Sequence, residues 1–205
     1  MPRDGPALNR VHKYAAGQES GSSGALACGG AQPGARGGRL RLRRALRQWA
    51  TGAQASSEYG NSDWSAAQAT GAPNTEAAGD CVTAWASTET DGGDEWLELT
   101  YDRPVNPTAV RIRETFNPGA VTKVEAQDGG GTWHTVWAGK DGTKDCPGWL
   151  TVTLEVPEWT TRKIKLTLDS AAVPGWNEID AVELIGEADE LPEASKPPEK
   201  SPANP

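Results

Sequence analysis

Two carboxylates stand two residues apart near the C-terminal end of the chain. They lie in the stretch GWNEIDAVELIG, residues 175–186, which reads as one buried strand behind a Pro174-Gly175 turn. Glu178 and Asp180 share a face with Val182 and Leu184, and Ile179, Ala181, Glu183 and Ile185 share the other. Each face mixes apolar and acidic groups, so the alternation is imperfect. Nothing as hydrophobic follows, which makes this the strand expected to close the domain.

The other chemistry-bearing residues form no catalytic set. Asp91, Asp94 and Glu95 sit in a Gly-containing loop, where three acids read as a solvated turn; nothing there holds two carboxylates at the fixed separation glycoside hydrolysis needs. The two His are His12 and His134, and His134, in a hairpin between Trp133 and Trp137, has no Ser, Cys or carboxylate motif around it and is expected on a wet face. The DGGG run at 128–131 belongs to a hairpin rather than to a phosphate loop opening a helix. The chain is therefore expected not to be an enzyme. Of the three Cys, Cys28 lies in the N-terminal region while Cys81 and Cys146 lie in loops, without a CxxC pair that would suggest zinc. A Cys81–Cys146 disulfide is the favoured expectation, with two reduced, half-buried thiols as the alternative.

The elements that must position these groups are short strands. The 205 residues suit one domain with tails, and no run of about 18 apolar residues offers a membrane span. Segments near 53–57, 95–101, 109–115, 122–127, 133–137, 149–156, 163–168 and 178–185 alternate, separated by Gly, Pro, Asn and Asp. In WLELTY, Leu97, Leu99 and Tyr101 share a face; in RKIKLTL, Ile164, Leu166 and Leu168 do. One packed and one wet face per strand predicts an all-β antiparallel sandwich.

Charge divides the chain. Residues 1–48 hold nine basic and two acidic side chains, a net of +7, whereas the remainder holds 11 basic and 26 acidic, a net of −15. Residues 1–48 read as a disordered basic Gly/Arg-rich tail, or as the product of a start codon set too far upstream; no apolar h-region marks a secretory signal. Residues 187–205 read as a Pro-rich disordered tail. An acidic domain argues against nucleic-acid backbones and anionic membranes, leaving sugars, cations and basic protein surfaces.

Nine Trp against one Phe and three Tyr suit either large core plugs or flat rings shown to a ligand. Trp137 and Trp176 are expected in the core and Trp96 at a sheet edge. Trp64, Trp133 and Phe116, beside loops, are the candidates for a ligand platform.

Residues 49–186 resemble a discoidin-type domain, the coagulation-factor C-domain branch of the galactose-binding-like jelly rolls. The resemblance is carried by ASSEYGNSDWSAAQATGAPNT (55–75), AWAS (84–87), EWLELTYDRPVNPTAVRIRETFNPGAVTKVEAQ (95–127), GTWHTVWAG (131–139) and WNEIDAVELIG (176–186). It implies a jelly-roll β-sandwich that is not catalytic, with a buried Trp at Trp85. It implies a glycan or protein partner bound by loops at one end, here through Asp63, Trp64, Asp91, Asp94, Phe116, Asn117 and Trp133. Carbohydrate binding or adhesion is the first expectation and a protein-interaction module the second, at an extracellular or cell-surface location. Family members hold a structural calcium; carried over, its closing-strand ligand is Glu178. The family's Asp before Gly is Thr70 here, leaving Asn74 or Asp80 as replacement oxygens. The alternative is that Glu178 hydrogen-bonds the loop backbone directly.

Overall fold

One long strand organises the molecule by belonging to two sheets. In the computed structural model, which describes residues 43–189, β3 runs from Asp94 to Phe116. Its first half pairs with β2 (Gly52–Ala55) and β7 (Thr161–Asp169). After a break in register between Thr100 and Val105, its second half pairs with β6 (Gly148–Thr153) and β8 (Glu178–Asp189). A strand that bends from one layer into the other makes a sandwich corner. The Pro104 ring, which has no N–H to donate, sits at that break. One sheet continues through β4 (Val121–Gln127) to β5 (Trp133–Ala138), and the other from β8 to β1 (Arg43–Trp49). The eight described strands pair antiparallel throughout, and the described helical turns are two short 3-10 pieces, Ala66–Ala69 and Ser170–Ala172. No helix among the described residues is long and apolar enough to cross a membrane.

The inward faces are those the alternation predicts. Leu97, Leu99, Tyr101, Ile164, Leu166 and Leu168 are all buried, and Val110, Ile112, Val182 and Leu184 meet them from the other sheet. Each such side chain contributes about 1.5–3 kcal/mol. The hairpin at 128–132 also forms, with Asp128 Oδ1 accepting the N–H groups of Gly130 and Thr132.

Three expectations need correcting. Two of the anticipated strands, 95–101 and 109–115, are halves of the single β3. Residues 43–48, assigned to the basic tail, form most of β1 and pair with β8 from Arg43↔Asp189 to Gln48↔Leu184. The rest of that tail and residues 190–205 lie outside the described residues. His134 is not simply wet: it stacks on Trp159 at 4.6 Å and bonds Asp128 at 2.8 Å.

β1 also explains the imperfect alternation of β8. β8 lies between β1 and β3, and its outward Glu183 is clasped by Arg47 through two 2.7 Å bonds and by Arg111 at 3.0 Å. Trp149 packs between Arg111 and Arg113, with guanidinium carbons 4.3 and 5.3 Å from its ring centre. The outward side of this sheet is thus roofed by cations and rings, which is why Glu183 is buried on the face meant to be wet.

Candidate functional site: an aromatic and acidic cleft at the loop end

The long connection between β2 and β3 folds back against the start of β8. Trp85 exchanges two backbone hydrogen bonds with Ile179, at 2.8 and 3.1 Å, and its indole N–H donates to Ser57 O. Tyr59 N–H donates to Ala86 O, and Trp64 pairs with Val82 and Ala86, so residues 59–64 lie along residues 82–86. The turn between them is tight: a Cβ at Gly60 would stand 2.3 Å from Asp63 O. Trp64 itself is held at φ 52°, a left-handed conformation that costs a non-glycine residue energy and aims its ring at β8.

From the other side comes the turn before β8. Gly175, at φ 95°, approaches so closely that a Cβ there would lie 2.6 Å from Asn117 Nδ2. Its N–H donates to Asp91 Oδ1, Asn117 Nδ2 donates to Trp176 O, and Asn177 Nδ2 donates to Asn117 O. Trp176 is thereby clamped, with its indole N–H on Ser87 O.

Tyr59, Trp64 and Trp176 then line a cleft of about 60 Å³ together with Asp80, Ala86 and Glu178. Tyr59 meets both indoles edge to face, at 5.4 Å from Trp64 and 5.3 Å from Trp176. Both indole N–H groups are already bonded, that of Trp64 to Asp80 Oδ1 at 2.8 Å, so the rings can offer their faces. Glu178 is 1% exposed; its Oε2 accepts the Cys81 N–H at 3.2 Å, and its Oε1 has no hydrogen-bond partner. Burial, reinforced by the neighbouring Asp80 charge and only partly offset by the Cys81 N–H, pushes the Glu178 carboxyl up to about 8.

Several sequence candidates meet here. Trp64, Asp80 and Glu178 line the cleft, Asp91 and Asn117 hold the Trp176 turn in place, and Asp63 is exposed in the turn before Trp64. Phe116 is half-buried where β3 pairs with Glu178, and Asp94 is exposed at the start of β3. Trp133 belongs elsewhere, on the β4–β5 hairpin with the Lys165 ammonium 4.1 Å from its ring centre. Tyr59 is not among the sequence candidates, although its place in SSEYGNSDW, before a glycine and ahead of Trp64, marks a ring on a loop. Trp176 was assigned to the core; it is half-buried and lines the cleft.

Of the residues expected around calcium, Asp80 accepts the Trp64 indole N–H and Glu178 the Cys81 N–H. Asn74 turns its backbone N–H, not an oxygen, toward Asp180, and Thr75 adds its own N–H and hydroxyl to the same carboxylate. Asp180 is thus satisfied by loop donors, and Glu178 bonds the loop backbone directly. Among the described residues no group of three or more His, Cys, Asp or Glu could hold a metal. The expected disulfide is also absent: Cys81 and Cys146 are free, and Cys146 Sγ donates to Thr115 O at 3.0 Å. Nor do the acids at 91–95 pair: Glu95 is bonded by the Ser56 and Ser57 hydroxyls, and Asp91 by Gly175.

Comparison with known proteins places this architecture. A protein-family model described as "Pappalysin-1, SD scarf domain, C-terminal" matches residues 40–196, from just before β1 to past β8. The chain belongs to this family. F-box/LRR-repeat protein 4 of Bos taurus is 27% identical over 113 residues, which is 46% of this chain and 17% of that protein, so the chain spans about a sixth of that relative. Among solved structures, the family 32 carbohydrate-binding module of C. perfringens NanJ, in complex with galactose, superposes with a TM-score of 0.50 at 20% identity. That match covers 68% of this chain and 99% of the module. The family 32 module of AlyQ, in complex with 4,5-unsaturated mannuronic acid, gives 0.51 at 13% identity, covering 68% and 97%. At these identities the likeness is one of fold: the galactose-binding-like, discoidin-type sandwich that the sequence resembles.

Proposed function

We propose that the domain is a non-catalytic binding module that takes a carbohydrate in the Tyr59–Trp64–Trp176 cleft. The observation that carries this reading is the convergence of three rings, two carboxylates and backbone-locked loops on one concavity at the loop end of the sandwich. A sugar packs its C–H face on an aromatic ring while its hydroxyls donate to carboxylates, here Asp80 and Glu178. The large hydrophobic side chains most exposed among the described residues are Tyr59, Val82, Trp96 and Val156. Tyr59 lines the cleft and Val82 is bonded to Trp64 beside it, while Trp96 and Val156 lie on other elements, so no broad apolar patch of the kind a protein partner would cover competes with it. The fold is also that of solved modules crystallised with sugars, which supports the reading without identifying the ligand.

A glycan array with the full chain, run with calcium and again with chelator, tests it. Specific binding in both conditions, lost in Tyr59→Ala, is the expected outcome. A blank from folded protein sinks the carbohydrate reading and turns the search to a protein partner.

A further inference from the structure

The cleft floor carries two acidic side chains that no cation accompanies. Asp80 and Glu178 are bonded by the Trp64 indole and the Cys81 backbone N–H, and no Lys, Arg or His among the described residues is paired with either. The cation–ring contacts among the described residues lie elsewhere, on Trp96, Trp133 and Trp149. Tyr59, Trp64 and Trp176 therefore keep their π-faces free of any side-chain cation. Beneath them lies the Glu178 Oε1 oxygen, without a partner and on a side chain that is 1% exposed. A buried carboxylate oxygen left unsatisfied is costly, and a neutral hydroxyl would supply a hydrogen bond but no charge. An ammonium group would supply both, and its C–H or N–H surface is attracted to ring faces.

We propose that the cleft is a cage for an organic ammonium group, so that the ligand it takes carries a positively charged amine. This rests on the reading above that the cleft is the ligand site, and it narrows that ligand to the cationic members of its class. Tyr59 and the two indoles supply the walls, Asp80 supplies the countercharge, and Glu178 supplies the unpartnered oxygen that accepts an ammonium N–H. The cleft's roughly 60 Å³ takes one ammonium head, and what bears it stays at the mouth. The groups that face Glu178 are Asp80, the Cys81 thiol and the Trp64 N–H; Asp180 lies two residues along the strand and is occupied by Asn74 and Thr75. The positive charge felt at this end of β8 is that of Arg113, which acts on Asp180 rather than on Glu178.

The test is calorimetric titration of the full chain at about pH 6, where an amine is protonated. The probes are tetramethylammonium chloride, oligo-glucosamine and its N-acetylated counterpart, with ionic strength matched by potassium chloride. The cationic sugar is expected to bind at least about tenfold tighter than the neutral one, a difference of about 1.4 kcal/mol. That ratio should fall toward one in the exposed-site variant Asp80→Asn, which removes the countercharge and is checked for an unchanged fold. Tetramethylammonium binding without any sugar binding would uphold the cage and overturn the carbohydrate reading. Equal binding of neutral and cationic sugars would overturn the cage and leave the carbohydrate reading standing. No binding of any probe overturns both.

Discussion

Glu178 and Glu183 sit five residues apart on the same strand, both nearly inaccessible, and titrate in opposite directions. Burial raises both carboxyls. At Glu183 the rise is overcome by hydrogen bonds from Arg47 and Arg111 and by their charges, so the group lies below the usual glutamate range. At Glu178 the partners are a backbone N–H and another acid, burial prevails, and the group rises to about 8. The aromatic surroundings differ in the same way. Trp149, beside Glu183, is covered by Arg111 and Arg113, while Trp64 and Trp176, beside Glu178, face an open cleft. One end of β8 is a finished structural cluster in which each charge has its partner. The other holds the same residue types with the cations left out, and that is the mark of a site built for something from outside.

The largest expected effect breaks the finished end. Arg111→Ala leaves Glu183 with Arg47 alone, whose side chain is 57% exposed, and strips Trp149 of its closer cation. Losing hydrogen bonds to a buried carboxylate costs roughly 1.5–3 kcal/mol, read as a lower urea midpoint at unchanged slope. Glu178→Gln at the open end should cost far less at neutral pH, because it replaces a carboxyl that holds its proton there. A cost as large as that of Arg111→Ala would mean the two ends are alike.

The comparison also shows what could be read from residues alone. The alternation in WLELTY and RKIKLTL marked the core because a half-buried strand cannot hide its period. The run RRALRQW carried no such mark: an arginine-rich stretch after a glycine-rich one looks solvated until Glu183, 136 residues further on, is seen to need Arg47. The cleft was half legible. Glu178, Trp64 and Asp80 stood out by type, and Asp91 and Asn117 by their turns. Tyr59 and Trp176 were passed over because a ring lines a cleft or plugs a core according to what lies across from it. That depends on backbone bonds such as Trp85 to Ile179, which join segments 94 residues apart.

A second break is by pH. Glu178 and Glu114 both stand near 8 in the folded protein; Glu114 is raised by burial and by Asp141 next to it, against the opposing Gly119 N–H. A carboxyl whose folded value exceeds its unfolded one contributes stability that is fully present below the unfolded value, about 4.3, and is lost as pH rises through the folded value. Glu183 runs the other way, its contribution lost as pH falls through its depressed value. The melting temperature is therefore expected to decline between about pH 5 and pH 8, and Glu178→Gln and Glu114→Gln should each flatten that decline. A melting temperature that climbs across this window in the native chain would show that neither carboxyl keeps its proton on folding.

The smallest effect on stability should accompany the clearest loss of binding. Tyr59 is 53% exposed, and its described ring contacts are the two edge-to-face packings on Trp64 and Trp176. Such pairs are worth about 0.5–1.5 kcal/mol each when fully formed, and less at a half-exposed ring whose neighbours are held by their own indole bonds. Tyr59→Ala is therefore expected to change the unfolding free energy by no more than about 1 kcal/mol, because Trp64 stays anchored on Asp80 and Trp176 on Ser87. Affinity for whatever ligand the array returns should fall at least about tenfold, as when a central aromatic anchor is truncated. If stability collapses while affinity survives, Tyr59 is a brace for the two indoles, and the open end of β8 is as structural as the closed one.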